Sequence, residues 1–188
     1  MAKIVSNFFI SLDGVVERPD QWHFPYFDED MGAAVGRGVE AATAFLMGRN
    51  QYQEWAEYWP NHSGGEDGDF ASFINSVPKY VLSNTLTEAT WQNTTLLSGG
   101  SEQVAARLRE IKEQADGEIA MSGSATTVRW LLANGLLDEL RLLVHPIAVG
   151  RGQRLFEDTA TYPLHLTSHE TFKSGVLNLT YAPERGRP

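Results

Sequence analysis

The stretch Ile119-Ala120-Met121-Ser122-Gly123-Ser124-Ala125-Thr126-Thr127 decides the fold. Its first three residues form an apolar run of strand type, which Ser122-Gly123-Ser124 breaks. Val128, Leu131 and Leu132 follow at helical spacing until Asn134-Gly135 stops the pattern. A strand that passes through three small residues into a helix is one βα unit of an α/β sheet. The helix start would offer unpaired N–H groups and a positive dipole end, which suit a phosphate. A tight turn that packs the helix on its sheet accounts for the same residues, and the two readings stand level. No Gly-Lys-Ser/Thr follows and no full G-x-G-x-x-G is present, so this is neither a P-loop nor a Rossmann fingerprint. Gly36-Arg37-Gly38 lies inside a helical pattern, and Gly150-Arg151-Gly152 has Leu155 where the third glycine belongs, so neither is such a fingerprint.

Outward from this unit, strands and helices alternate. Residues 3–12 read as a first strand. Met31, Val35, Val39 and Ala42 give a helix over 29–42. A short strand over 43–47 ends at Gly48, and others are expected at 79–83, 94–97 and 118–121. Val104, Leu108, Ile111 and Ala115 mark a helix that Ser101 would cap and Gly117 would end. Residues 140–149 read as one long apolar strand. Alternation around Leu164 to Ser168 and Leu177 to Tyr181, with Lys173-Ser174-Gly175 between, is a hairpin signature. The expected fold is α/β, a mostly parallel central sheet flanked by helices with an antiparallel C-terminal hairpin.

The chain has 188 residues, no cysteine and a net charge of −9, from 15 basic and 24 acidic residues. That length suits one domain over 1–188, with a polar, Gly-rich loop at 60–69 and a tail at 183–188. Without cysteine there is no disulfide framework, thiolate zinc site, iron–sulfur cluster or cysteine nucleophile. The acidic balance argues against nucleic acid as a partner. No signal peptide or apolar run of spanning length is evident, so no membrane is expected and the cytoplasm is the default location. His165 and His169 lie four apart on a predicted strand, too far for one metal, and no metal site is predicted.

Three further segments can carry chemistry. Met47-Gly48-Arg49-Asn50 places an arginine at the carboxyl end of a strand, where ligands of open α/β sheets sit. Its fork suits a phosphate monoester, although taken alone a surface ion pair is the favoured reading. Ser11-Leu12-Asp13-Gly14 puts an acid at the end of the first strand, as a turn or facing a pocket. Asp28-Glu29-Asp30 follows an aromatic loop and is most simply a helix start, with Asp28 or Asp30 as proton donor the minority reading. Trp55, Tyr58 and Trp59 share a helical face and are expected in the core.

Taken together, these segments resemble the dihydrofolate-reductase-like superfamily. The motifs Ser122-Gly123-Ser124-Ala125, residues 131–142 and residues 144–156 are similar to the C-terminal reductase domain of the bifunctional riboflavin-biosynthesis deaminase/reductase and its stand-alone relatives. The resemblance runs from about Lys3 to Tyr181. It implies a dihydrofolate-reductase-like fold, NADPH as cofactor and hydride transfer to a small heterocycle. The activity it suggests is like that of 5-amino-6-(5-phosphoribosylamino)uracil reductase. By motif match, Gly48, Arg49 and Asn50 would meet the adenosine 2′-phosphate with Ser83 nearby. Ser122, Gly123, Ser124, Ala125 and Thr126 would cradle the pyrophosphate, and Val15 and Val16 would border the nicotinamide. Asp13 is the first choice for a substrate-facing acid. The resemblance also implies a homodimer, through the apolar C-terminal strands. Without cysteine, a deaminase portion is not expected in this sequence. The alternatives are a pterin reductase and a non-catalytic dimeric NADP-binding protein.

Overall fold

The computed structural model describes residues 1–62 and 68–184. Its frame is an eight-stranded sheet in the order β4-β3-β2-β5-β1-β6-β8-β7. The strands are β1 (Lys3–Ser11), β2 (Ala42–Gly48), β3 (Lys79–Leu82), β4 (Thr94–Leu97), β5 (Glu118–Met121), β6 (Glu139–His145), β7 (Leu164–Thr171) and β8 (Leu177–Pro183). The helices are α1 (Glu29–Ala41), α2 (Arg49–Tyr58), α3 (Gly68–Ser76), α4 (Ser101–Gln114) and α5 (Ala125–Ala133). β1 to β6 pair in parallel, and β8 pairs antiparallel with β6 and β7. This is the expected architecture, hairpin included.

The period of two along each strand divides the core. Ala44 and Leu46 of β2 and Ile119 and Met121 of β5 face α4 and α5, packing with Leu108, Val128 and Leu131. Phe45, Met47 and Ala120 face the other way, against Tyr52 of α2 and Ile74 of α3. Both faces are covered, as a parallel sheet requires, because its crossovers lay helices on each side. Leu136 N–H donates to Leu131 C=O (2.9 Å) and Gly135 N–H to Leu132 C=O (3.1 Å), so the predicted Asn134-Gly135 stop is a Schellman closure of α5. Gly135 has φ +63°, the left-handed value that closure needs.

Four expectations are corrected. The strand read over 140–149 ends at His145, because Pro146 has no N–H for the ladder and the chain leaves the sheet there. Ser101 is the first residue of α4 rather than its cap; Gly100 holds the cap position, and Ser101 Oγ accepts from Trp130 Nε1 (2.9 Å). Gly117 lies beyond the end of α4 and turns the chain into β5 with φ +80°. The loop read over 60–69 is shorter. Residues up to Asn61 belong to a 3-10 turn and Gly68 begins α3, while residues 63–67 lie outside the described residues. Of the expected tail, Pro183 belongs to β8, and residues 185–188 lie outside the described residues.

One buried cation ties the start of β3 to the end of α3. Lys79 is fully buried, and its Nζ donates to the carbonyls of Ile74 (2.8 Å) and Val77 (2.9 Å) below α3, 4.5 Å from the Trp91 ring centre. Burial pushes its pKa down from 10.5 to about 8. The unfolded chain therefore binds more protons than the folded one between about pH 8 and 10.5, and folding gains stability as pH rises through that window. Denaturant unfolding of wild type and Lys79→Met is expected to show this gain in the wild type alone. Parallel pH curves would remove Lys79 from it.

Candidate functional site

Ligands of open parallel sheets bind at the carboxyl edge, where the strand order reverses. Here β5 lies between β1 and β2, so connections diverge around its carboxyl end. Two helices begin there. α5 starts after Ser124, whose Oγ accepts from Thr127 N–H (3.3 Å), and α2 starts after Gly48 with no side-chain cap. A Cβ on Gly48 would stand 3.1 Å from Thr127 Oγ1, so a larger residue here would need Thr127 to give by a few tenths of an ångström. Gln51 Nε2 donates to Ser122 C=O (2.9 Å) and ties α2 to the turn after β5.

Arg49, exposed at the head of α2, has no carboxylate partner among the described residues. Its Nη1 donates to Thr85 Oγ1 (3.1 Å), and its Nε and Nη2 donate to Asn50 Oδ1 (3.3 and 3.2 Å). Ser83 Oγ accepts from the N–H groups of Thr85 (3.2 Å) and Leu86 (3.1 Å). The structure thus gathers Gly48, Arg49, Asn50 and Ser83 on one side and Ser122 to Thr126 on the other. Sequence reading missed Thr85 and Gln51, whose polar side chains carry no motif of their own.

The loop after β1 is a clamp. Asp13 accepts from Ser11 Oγ (2.6 Å) and from the N–H groups of Val149 (3.0 Å) and Gly150 (2.7 Å), while Arg154 Nε donates to its backbone carbonyl (3.0 Å). The Ser11 hydroxyl and those two amides pull its pKa from 3.8 to about 2. Such a carboxylate holds residues 146–150 in place and has no proton to give near neutrality. Val15 in the same clamp is fully buried, so of Val15 and Val16 only Val16 presents surface. Because the folded pKa of Asp13 is depressed, its contribution to stability is present above about pH 4 and lost as pH falls toward 2. Asp13→Asn is therefore expected to melt below wild type at pH 7, with the gap closing on acidification. Equal melting at pH 7 would overturn the clamp.

Asp28 is the N-cap of α1. It accepts from Met31 N–H (2.9 Å) and, through its second oxygen, from Ser174 N–H (3.0 Å) in the β7–β8 turn; Asp30 accepts from Lys173 N–H (3.3 Å). Both acids join α1 to the hairpin. His145, placed in the core by sequence reading, is fully buried. Its Nδ1 donates to Leu143 C=O (2.8 Å), and Nε2 meets no partner among the described residues. Burial pushes His145 and its neighbour His23 below the ordinary histidine pKa. Trp55 and Trp59 pack into the core as expected, whereas Tyr58 is exposed and stacks on His62.

A cavity of about 630 Å³ opens between α1 and the sheet. Phe9, Val35, Phe45, Trp55 and Phe73 supply apolar walls, and Asn7 and Arg141 stand on its sheet side. Ser122 lines it too, so the cavity and the helix-start groove meet at the end of β5. Among the described residues, no helix is long and apolar enough to cross a membrane.

A family model for the RibD C-terminal domain matches residues 2–178. The chain belongs to that family. YyaP of Bacillus subtilis (strain 168), an uncharacterized protein, is 26% identical over 182 residues, covering 95% of this chain and 94% of YyaP. A protein from Shewanella sp. PV-4, provisionally named for riboflavin biosynthesis, superposes with a TM-score of 0.75 at 22% identity, over 98% of this chain and all of that one. The dihydrofolate reductase of Enterococcus faecalis, determined with NADP(H), superposes at 0.58 with 12% identity over 96% of each chain. This RibD C-terminal domain protein therefore has the dihydrofolate-reductase-like fold its sequence resembles.

Proposed function

We propose that the protein is an NADPH-dependent oxidoreductase that reduces a small heterocycle. The junction at Ser122, which belongs both to the helix-start groove and to the wall of the cavity, carries this reading. The residues present suit a dinucleotide phosphate. Among the described residues Arg49 lacks an ion pair and the start of α2 has no side-chain cap, and Gly48 stands close to Thr127 of α5. In this reading Arg49, Asn50 and Ser83 hold the 2′-phosphate and residues 122–126 the pyrophosphate. When bound, the cofactor supplies hydride; the chain orients the ring. Of the carboxylates lining the cavity, Glu118 accepts from Arg141 and Glu170 from Arg37; Asp13, outside the lining, is locked by backbone amides. Water is therefore the proton source in this proposal.

The family likeness favours a pyrimidine-type ring of the kind reduced in riboflavin synthesis, and a cytoplasmic setting accompanies it. Calorimetric titration with NADPH and NADH tests the cofactor. Preferential NADPH binding supports the reading, and no binding of either overturns it.

We extend the proposal to a homodimer through the β7–β8 hairpin. β7 is one of the two edge strands, exposed along nearly its whole length, with Leu166 41% exposed. Its outward residues are more polar than the expected apolar interface. Sedimentation at micromolar concentration is expected to show a dimer that Leu166→Lys dissociates; a wild-type monomer would overturn this.

A further inference from the structure

We infer that the cavity takes an uncharged, unphosphorylated ring compound with an amide-like edge; this rests on the proposed reductase reading and narrows its substrate. The volume and apolar walls suit a flat ring system, because such pockets gain most of their affinity from apolar burial and use a few polar groups to orient the ligand. Two observations set the polarity of that ligand.

The first is charge. The lining holds two cations, Arg37 and Arg141, among the described residues. Arg141 is held by both oxygens of Glu118 (2.6 and 2.9 Å) and by Glu139 (2.8 Å). Arg37 pairs with Glu170 (3.1 Å), which also accepts from Asn178 Nδ2 (3.0 Å). Glu139 takes a further bond from Lys3 (2.7 Å). Each cation is thus neutralised by a carboxylate already at the wall. A phosphate dianion would meet as much negative as positive charge and would have to break an existing pair to bind.

The second is hydrogen bonding. Asn7 lies on β1, half-buried at the cavity, and its side-chain amide meets no hydrogen-bond partner among the described residues. A primary amide offers one acceptor and two donors side by side. The complementary group is a neutral C=O beside an N–H, as in a lactam. With Asn7 as reader and apolar walls on either side, the cavity selects by ring shape and edge.

Two probes test this by calorimetry: 2-quinolinone, a flat neutral lactam, and 1-naphthyl phosphate, a ring of similar size bearing a phosphate. Wild type is expected to bind 2-quinolinone at least 10-fold more tightly. Losing one neutral hydrogen-bonded pair costs about 1 kcal/mol, so Asn7→Leu should weaken 2-quinolinone by about 5-fold. Asn7→Ser serves if the leucine variant melts early. Glu170→Gln releases Arg37 and should tighten 1-naphthyl phosphate while leaving 2-quinolinone unchanged. Phosphate binding as tight as the lactam's in wild type, or no lactam binding, overturns the inference. So does an Asn7→Leu protein that stays folded and binds the lactam as wild type does. The NADPH titration is read separately. If NADPH binds and these results fail, only the substrate class falls. If NADPH fails and they hold, the cavity assignment stands without the cofactor.

Discussion

An Ala34→Trp protein is expected to bind NADPH as wild type does and to turn over heterocyclic substrate at least about 100-fold more slowly. Ala34 sits on α1 and lines the cavity. An indole there occupies the volume a flat ring needs, since a tryptophan side chain covers about 200 Å². The helix-start groove is built from α2, α5 and the ends of β2, β3 and β5, so nothing in it changes. Overpacking costs about 1–3 kcal/mol, so melting temperature is measured alongside, with Ala34→Leu as a milder step. Loss of both properties in a protein that melts normally would mean that groove and cavity are not separate sites. Loss of neither would remove the cavity from turnover.

Arg49→Ala is expected to cost NADPH about 10- to 150-fold in affinity and NADH little. The range corresponds to about 1.5–3 kcal/mol for hydrogen bonds to a charged group, and only NADPH carries the 2′-phosphate. Because among the described residues Arg49 is bonded only to the neutral groups of Thr85 and Asn50, no ion pair there has to be broken for it to turn to a phosphate. Arg49→Lys should recover part of the loss, since a lysine keeps the charge and loses the fork. Equal losses for the two cofactors, measured by calorimetry, would assign Arg49 to the architecture of the β2 edge instead.

Much of this was legible because local signals and tertiary roles coincide. Ile119 to Met121 is apolar on every residue because β5 is covered on both faces, and Asn134-Gly135 stops α5 because the closure needs a left-handed residue. That Gly48-Arg49 and Ser122-Gly123-Ser124 stand at helix starts could be read, since each interrupts an apolar strand just before a helical pattern. Other features were not legible. α3 begins in a polar stretch whose first residues read as loop, and its packing of Ala71 and Ile74 on the sheet is a tertiary fact. The family resemblance made Asp13 the first choice for a substrate-facing acid, while its position after the first strand allowed a turn or a pocket. Only the return of residues 147–150 shows that its carboxylate is filled by backbone amides more than 130 residues away. The cavity could not be read either, since its walls come from α1, α2, α3 and six strands, and no sequence window spans them.

The sheet order has a consequence for the sequence of events in synthesis. Ser168, Glu170, Asn178 and Thr180, which close one side of the cavity, lie on β7 and β8, made after every other strand. The groove residues all precede residue 128. A nascent chain can therefore assemble the helix-start groove while the cavity still lacks a wall, so under the proposed function cofactor binding would precede substrate binding. A chain stalled or clipped before the hairpin would hold the first ligand and have no place for the second.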